Sequence, residues 1–471
     1  LLDDKNIRLF IGALSLFNDK KGLEFNPFEG DNTSEIDLKE LLKKIKDKKE
    51  SKSSTNNKGE ESEEEQLRKK LKTFYARIWM VAFLSNSKIQ YLDDIIKVLG
   101  SEGNEDDKRI ADNIGLNVHI LEIVRDKASQ NARHQLDNRI ENIHDLMQKT
   151  EGTEIEKAMM ALTKFDRLSA AEIVTPEGIQ KVIVNGISVE TVNEDTVFLD
   201  IASKQGELTI AFLQKFPSFK KENLYSVATS SIAYEMTRKV YVALGISPNN
   251  IILPPKSGKD FYQNLLQTIK TQLGGKQPHI VLCCPPFQKP KGGGRGVGGS
   301  DIYPCYYDLC KKLNPNKEDK NNIPYIFCIY TKATWNTLGT KYVAGEENEC
   351  DDEENNEYEF GEIKIPEYRK MILNDKHVYE LNDYLSAAPF YNRKVTLRGG
   401  VNILFWNAKA TDKVSVNLYD DKHTLKICES RSLLPDKIRQ LMVDNNIVCA
   451  ACPDYPYIRI GGLGMTILEP V

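Results

Sequence analysis

Between Thr196 and Cys283 the chain alternates short apolar runs with amphipathic stretches, at a pitch that suits a parallel α/β sheet and little else. An apolar run from Thr196 leads through a small-residue turn containing Gly206 into an amphipathic helix ending near Phe216. Asn223 to Ala228 then reads as a strand, Ile232 to Leu244 as a helix, Ile251 to Leu253 as a short strand, Phe261 to Leu273 as a helix and His279 to Cys283 as a fourth strand. Parallel neighbours cannot be joined by a hairpin, so each helix must cross a face of the sheet, and both faces end up covered. In such a sheet ligands bind where strands end.

Two strand ends carry residues suited to that task. Asp200-Ile201-Ala202-Ser203-Lys204-Gln205-Gly206 joins a strand to a helix N-terminus, the usual nucleotide-binding corner of an open α/β sheet. The other is Val281 to Gln288, an apolar strand ending in Cys284-Pro285-Pro286-Phe287 and running into a glycine-rich loop. Two prolines cannot continue a ladder, and their fixed φ leaves carbonyl oxygens without backbone partners beside an aromatic ring. A flat heteroaromatic amine such as an extruded adenine needs that combination of acceptor and stacking face. A proline turn that merely closes a buried strand would use the same residues, and the segment by itself leaves both readings open.

The order of four segments resembles the gamma class of adenine-N6 amino-methyltransferases, especially those of restriction-modification enzymes. The segments are Ala171-Glu172-Ile173-Val174-Thr175-Pro176-Glu177, Asp200 to Gly206, Asp260-Phe261 and Cys284-Pro285-Pro286-Phe287. The glycine-rich run Gly292 to Gly299, the segment Ser300 to Pro304 with its helix through Leu313, and Leu397 to Trp406 are similar to later parts of that family, so the likeness covers roughly residues 160 to 410. It implies a Rossmann-like doubly wound α/β methyltransferase sheet with S-adenosylmethionine as cofactor. Asp200 and the backbone from Ala202 to Gly206 would hold the cofactor's amino-acid end, Thr175 and Pro176 would close over its methionyl side, and Asp260 with Phe261 would meet its adenine. Phe287 would stack on the target base while the Pro285 carbonyl, set by Pro286, accepts from N6. The implied activity is methyl transfer to adenine N6 in double-stranded DNA with the adenine flipped out. The implied partners are a fused or separate nuclease, helicase or specificity domain.

Three positions depart from the family pattern. The catalytic corner opens with Cys284, a weak acceptor, where the family has Asn, Asp or Ser. Lys204 stands where the family commonly has glycine, which puts a cation near the cofactor's carboxylate. Thr229 and Ser230 follow the second strand in place of an acid, with Glu235 one helical turn further on. These changes frame an alternative, a catalytically impaired module of the same fold that binds DNA or cofactor and regulates a nuclease or helicase. Methylation of RNA or of a protein amide is a third option.

Other chemistries fit less well. Cys283, Cys284, Cys305, Cys310 and Cys328 form no two-residue-spaced knuckles for zinc. The order Cys284-Pro285 reverses the Pro-Cys of cytosine-C5 enzymes, and no Gly-Lys-Ser/Thr closes the glycine-rich loop as a phosphate cradle would. Lys289, Lys291 and Arg295 on that loop suit contact with a DNA backbone, or equally a solvated surface. With a net charge of −4 any DNA affinity must come from a local basic face. Nine cysteines without a signal peptide or regular spacing point to a reducing, cytoplasmic compartment.

Residues 1–150 read as a helical domain. Leu38 to Ile45 is lysine-rich, Glu50 to Gln66 (an insert at about 50–66) is too polar to pack, and Leu67 to Leu84, Ile89 to Leu99 and Ala128 to Met147 show helical spacing. The methyltransferase core is expected over 151–410 with an acidic insert at about 346–359, and its fifth strand at Tyr325 to Tyr330. Residues 411–471 read as a small β-rich extension: a strand pair from Val414 to Cys428, a helix from Leu433 to Val443, and an aromatic loop and strand at Tyr455 to Gly462. That is too little chain for a target-recognition domain, and the first residue, Leu1, suggests a segment of a longer polypeptide.

Overall fold

The structure, a computed structural model, describes residues 76–100, 103–116, 118–127, 130–144, 146–165, 168, 172–255, 260–287, 301–314, 323–333, 363, 368, 371–372, 375, 376–391, 400–409, 414–419, 422–423, 425–431, 457–460 and 464–467. The expected inserts at 50–66 and 346–359, the lysine-rich stretch from Leu38, the helix from Leu433, and Lys289, Lys291 and Arg295 lie outside these residues. The chain divides into two compact units, 1–173 and 174–471.

The described part of the first unit is helical: 76–84, then Leu92–Leu99, Glu105–Ile114, Val118–Lys127, Gln130–His144, Leu146–Lys149 and Glu154–Leu162. The elements between Glu105 and Lys127 were not read from sequence, because Glu105, Asp106 and Asp107 mask a helix whose apolar face is only Ile110, Ala111 and Ile114. Its ends are nevertheless well marked, by Asn104, whose side chain accepts from the Asp107 amide, and by Gly115 in the left-handed region. Trp79, Phe83, Ile95, Ile110, Leu121 and Ile140 are buried in this unit.

The second unit is built on nine strands: β1 (Phe198–Ser203), β2 (Leu224–Ala228), β3 (Ile251–Ile252), β4 (Ile280–Cys283), β5 (Ile326–Lys332), β6 (Val378–Tyr384), β7 (Val401–Asn407), β8 (Val414–Tyr419) and β9 (Leu425–Arg431). They lie in the order β3-β2-β1-β4-β5-β7-β6-β8-β9. The first five are parallel. β7 runs antiparallel to both β5 and β6, β8 returns parallel to β6, and β9 closes the edge antiparallel to β8. The expected Rossmann-like doubly wound α/β sheet is therefore present, with a mixed half that the periodicity of the first four strands could not reveal. The strand pair beyond residue 410, read from sequence as part of a separate extension, is hydrogen-bonded through β6 into this same sheet. Among the described residues, Tyr457–Ile460 and Gly464–Ile467 pair apart from it.

Five helices matter for the site: α1 (Glu177–Asn185), α2 (Glu207–Lys215), α3 (Ser231–Ala243), α4 (Phe261–Gln272) and α5 (Tyr303–Leu313). Side chains alternate along a strand, so Phe198 and Leu199 of β1 point to opposite faces. Leu199 and Ile201 join a buried cluster with Tyr262 and Leu265 of α4 and Tyr303, Tyr307 and Leu309 of α5. Phe198 stacks on Phe212 of α2, with ring centroids 4.3 Å apart, on the other face. The chain thus winds outward from β1 through β2 to β3, then jumps back to β4 on the opposite side, which makes the β1–β4 seam the topological switch point.

A buried polar junction ties α5 to the mixed half. Asp375 accepts from Tyr307 (2.8 Å) and Lys311 (2.7 Å) of α5, from the Trp406 indole of β7 (3.0 Å) and from the His377 amide (3.0 Å). At the start of β7, Gly400 sits at φ +73°, and a β-carbon there would collide with the Tyr384 and Leu385 carbonyl oxygens. That accounts for a glycine at residue 400 within the Leu397 to Trp406 segment singled out from sequence. No helix among the described residues is long and apolar enough to cross a membrane.

Candidate active site at the ends of β1 and β4

Register places the two ligand-suited strand ends side by side. Asp200 pairs with Leu282 and Ile201 with Cys283, and the Cys284 amide reaches the Ile201 carbonyl at 3.4 Å. β1 does not end cleanly. Its register with β2 slips between Ile201 and Ser203, and Ala202 in the bulge adopts φ +65°. The slip turns the chain from strand into the Ser203–Gly206 loop, where Gly206 at φ +76° opens α2 and donates its amide to Ser203 Oγ at 3.0 Å.

That loop is organised by a carboxylate that sequence reasoning missed. Glu207, buried at the first position of α2, accepts from the amides of Gln205 (2.9 Å), Lys204 (3.3 Å) and, across the site, Thr175 (3.3 Å). An acid in the first turn complements the helix dipole, which is the only signal that marked it. Thr175 lies 32 residues away, so their meeting could not be read from spacing. Thr175 is buried, and Pro176 caps α1, so the expected cofactor-side segment does reach the corner.

Asp200 is 1% exposed, and neither carboxylate oxygen has a hydrogen-bond partner. Burial, and then the charge of Glu207, push its carboxyl well above the usual carboxylate range, against the Ser203 hydroxyl and the Lys204 ammonium nearby. Lys204 spends its donors on carbonyls, so an acid so placed has no cation bonded to its oxygens. The amino group of an amino acid would supply one, so the corner fits the amino end of S-adenosylmethionine. It does not offer the loop amides of Lys204 and Gln205 to the cofactor's carboxylate, because Glu207 already holds them. Asp260 is exposed at the start of α4 and does not use its side chain as a helix cap, which leaves the carboxylate open toward solvent. Phe261 beside it is half-buried. Thr229 is half-buried, and its amide bonds the Ser203 carbonyl at 3.0 Å, tying the β2 end to the loop. Glu235 is buried within α3.

Lys204 departs from its expected place. Its ammonium does not lie free beside a cofactor carboxylate; the side chain is 4% exposed and donates to the Cys284 carbonyl at 2.6 Å and the Ala202 carbonyl at 3.3 Å. At the second corner Cys284 and Pro285 are buried, while Pro286 and Phe287 are half-buried. Burial pushes the Cys284 thiol up to about 12, against the Lys204 charge and a hydrogen bond with Thr175. The thiol therefore stays protonated at neutral pH and cannot serve as a nucleophile. The Phe287 ring lies 5.2 Å from Tyr330 and 6.4 Å from Tyr303, between centroids. The Tyr330 hydroxyl in turn meets that of Tyr391 at 3.1 Å. Neither tyrosine was singled out in the sequence, because no local pattern sets them apart from core aromatics.

No family model matches the chain, and no curated protein matches it. Its arrangement is similar to solved structures at low identity. The methyltransferase subunit of the type I restriction-modification system from Streptococcus thermophilus is 10% identical with a TM-score of 0.39, over 94% of this chain and 88% of that one. The type IIL restriction-modification enzyme MmeI, solved in complex with DNA, is 9% identical with a TM-score of 0.41, over 91% of this chain and 61% of its own. The type IIG restriction endonuclease BpuSI is 13% identical with a TM-score of 0.35, over 83% of this chain and 45% of its own. Likeness at this level fixes no activity, and the functional reading rests on the chain's own residues.

Proposed function

We propose that the β1–β4 corner binds S-adenosylmethionine and transfers its methyl group to adenine N6 in DNA, as the modification core of a restriction-modification enzyme. The observation that carries this reading is a buried, unpartnered Asp200 at one strand end, two register positions from a Cys-Pro-Pro-Phe corner on the neighbouring strand, at the switch point. When bound, the cofactor supplies an electrophilic methyl group. Asp200 pairs with its amino group, Asp260 accepts from its adenine amine, and Thr175 with Pro176 flanks the same corner. On the substrate side Phe287 offers a partly open ring for stacking. The Pro285 carbonyl accepts a hydrogen bond from N6, which localises the nitrogen lone pair and readies it for attack, and the proton that N6 sheds on gaining the methyl group passes to solvent. Orientation and preorganised acceptors supply the catalysis, with no charged side chain at Cys284. Double-stranded DNA with its target adenine swung out is the substrate, and a nuclease, helicase or specificity domain, fused or separate, is the partner this role requires.

A second reading is favoured by Cys284, whose thiol is buried and protonated where the chemistry profits from a strong oxygen acceptor. On that reading the corner binds cofactor and regulates a partner without transferring the methyl group.

Calorimetry separates both readings from a corner that binds nothing. S-adenosylmethionine is expected to bind with an affinity of about 1 μM, and Asp200→Ala to weaken it by at least about 100-fold. Because Asp200 holds its proton too tightly before the amino group arrives, binding releases a proton. Affinity therefore rises with pH up to the carboxyl's raised value, and the measured heat changes with the ionisation enthalpy of the buffer. A pH-independent affinity, or one untouched by Asp200→Ala, would place the cofactor elsewhere.

A further inference from the structure

A buried ammonium is expensive, and the fold does not require one at residue 204. Taking a lysine head group out of water costs several kcal/mol unless partners repay it. In a loop that only has to turn from β1 into α2, a small residue would do. The chain instead spends a long side chain to reach across the switch point, and its 2.6 Å bond to the Cys284 carbonyl is far shorter than the 3.4 Å ladder bond between the Cys284 amide and Ile201.

The consequence for the second corner follows from covalent geometry. The Cys284 carbonyl belongs to the peptide plane that Cys284 shares with Pro285. The Pro285 ring fixes φ, so once that plane is held only ψ of Pro285 is left to set where its own carbonyl points. The ladder does little to hold it, since the Cys284 amide contacts Ile201 at a long 3.4 Å. The Cys284 side chain contributes nothing on the substrate side either, being buried near Thr175. The charge-assisted bond from Lys204 is thus the strongest constraint on the corner's first peptide. Glu207, buried at the end of the same loop, supplies negative charge that makes the ammonium tolerable there.

We propose that Lys204 is a positioning residue, whose ammonium clamps the Cys284 carbonyl so that the Pro285 carbonyl and the Phe287 ring face the target amine. The proposal rests on the methyl-transfer reading of the site. It explains two departures from the family pattern together: the corner has lost a side-chain acceptor at Cys284 and gained a cation at Lys204 that orients the backbone acceptor beside it.

The test uses the full chain with 4-fluorophenylalanine placed at residue 287, comparing the native residue with Lys204→Met and Lys204→Arg. The methionine side chain keeps the length and removes the donor, and the expected result is a shifted or broadened fluorine line at unchanged melting temperature. In methyl transfer it should lower kcat by about 100-fold, the cost of a small misplacement at a reacting centre. The KM for S-adenosylmethionine should change less than about threefold, because the loss is confined to the transition state. Lys204→Arg, which retains a donor and the charge, should restore the line and part of kcat. A Met variant with an unaltered line and unaltered kcat overturns the clamp. If the native chain neither binds cofactor nor transfers methyl, the functional reading fails, and the fluorine line alone decides the clamp: displaced it stands, unaltered it falls. Should Lys204→Met not fold, Lys204→Gln, polar but too short to span to Cys284, takes its place with the same two outcomes.

Discussion

Asp375→Ala should destabilise the sheet unit by about 3–4 kcal/mol. The magnitude follows from what is left behind. Lys311 has a side chain 33% exposed and can rehydrate, so its lost partner costs little. The Trp406 indole N–H and the Tyr307 hydroxyl are buried and cannot, and each orphaned donor costs about 1–3 kcal/mol. Burial pushes the Tyr307 hydroxyl up, and the Asp375 charge pushes it further, so it remains a donor at every pH at which the fold is studied. For Asp375 burial alone would raise the carboxyl. The Lys311 ammonium, the His377 amide and the Tyr307 hydroxyl outweigh that and hold it below its ordinary 3.8. A group depressed in the folded state contributes stability that is complete above the unfolded value and vanishes as pH falls through the folded one. Denaturant titrations should therefore show a wild-type stability that declines in acid below about pH 4, and an Asp375→Asn variant with a shallower decline. A variant as stable as the parent at pH 7 would mean that the junction around α5 and β7 repacks without its carboxylate.

The second large effect is expected at Glu207. Its carboxylate serves three backbone amides from two segments, so Glu207→Ala takes the acceptor away from the Thr175 amide and loosens the turn that Lys204 and Gln205 form. The 2.9 Å charge-assisted bond from Gln205 is worth about 1.5–3 kcal/mol and the two 3.3 Å bonds add less than that each, so a total of about 3–5 kcal/mol is expected. Glu207→Gln separates shape from charge. Its amide oxygen can still accept, so stability should recover in part. The negative charge that helps raise the Asp200 carboxyl disappears, and with it part of the proton release on cofactor binding. Loss of stability without any change in that proton release would show that Glu207 and Asp200 do not interact.

Much of this was legible in the residues. The strands and helices from Phe198 to Cys283 fall within one or two positions of the periodicity, because parallel strands buried on both faces are written as unbroken apolar runs. The two corners were legible because glycine and proline have few backbone options. What escaped was long-range. β6 reads Val378-Tyr379-Glu380-Leu381-Asn382-Asp383-Tyr384, and its buried polar residues take partners on neighbouring strands, Asp383 from Asn402 and Asn382 from Asn417. Such a segment has no strand signature until its partners are in place. The same holds for Lys204, whose role depends on a carbonyl 80 residues away. A substitution that looked like damage to a glycine turn is, in three dimensions, a contact between both halves of the site.

The central claim is that this corner moves a methyl group onto adenine N6, and product analysis tests it most directly. The purified chain, given S-adenosylmethionine carrying a labelled methyl group and unmethylated DNA of mixed sequence, would be followed by digestion of the DNA to nucleosides and mass spectrometry. Label in N6-methyldeoxyadenosine, lost with Phe287→Ala, is the result the account predicts. A folded chain that binds the cofactor yet leaves the label in the cofactor, or places it on any other nucleoside, would contradict it.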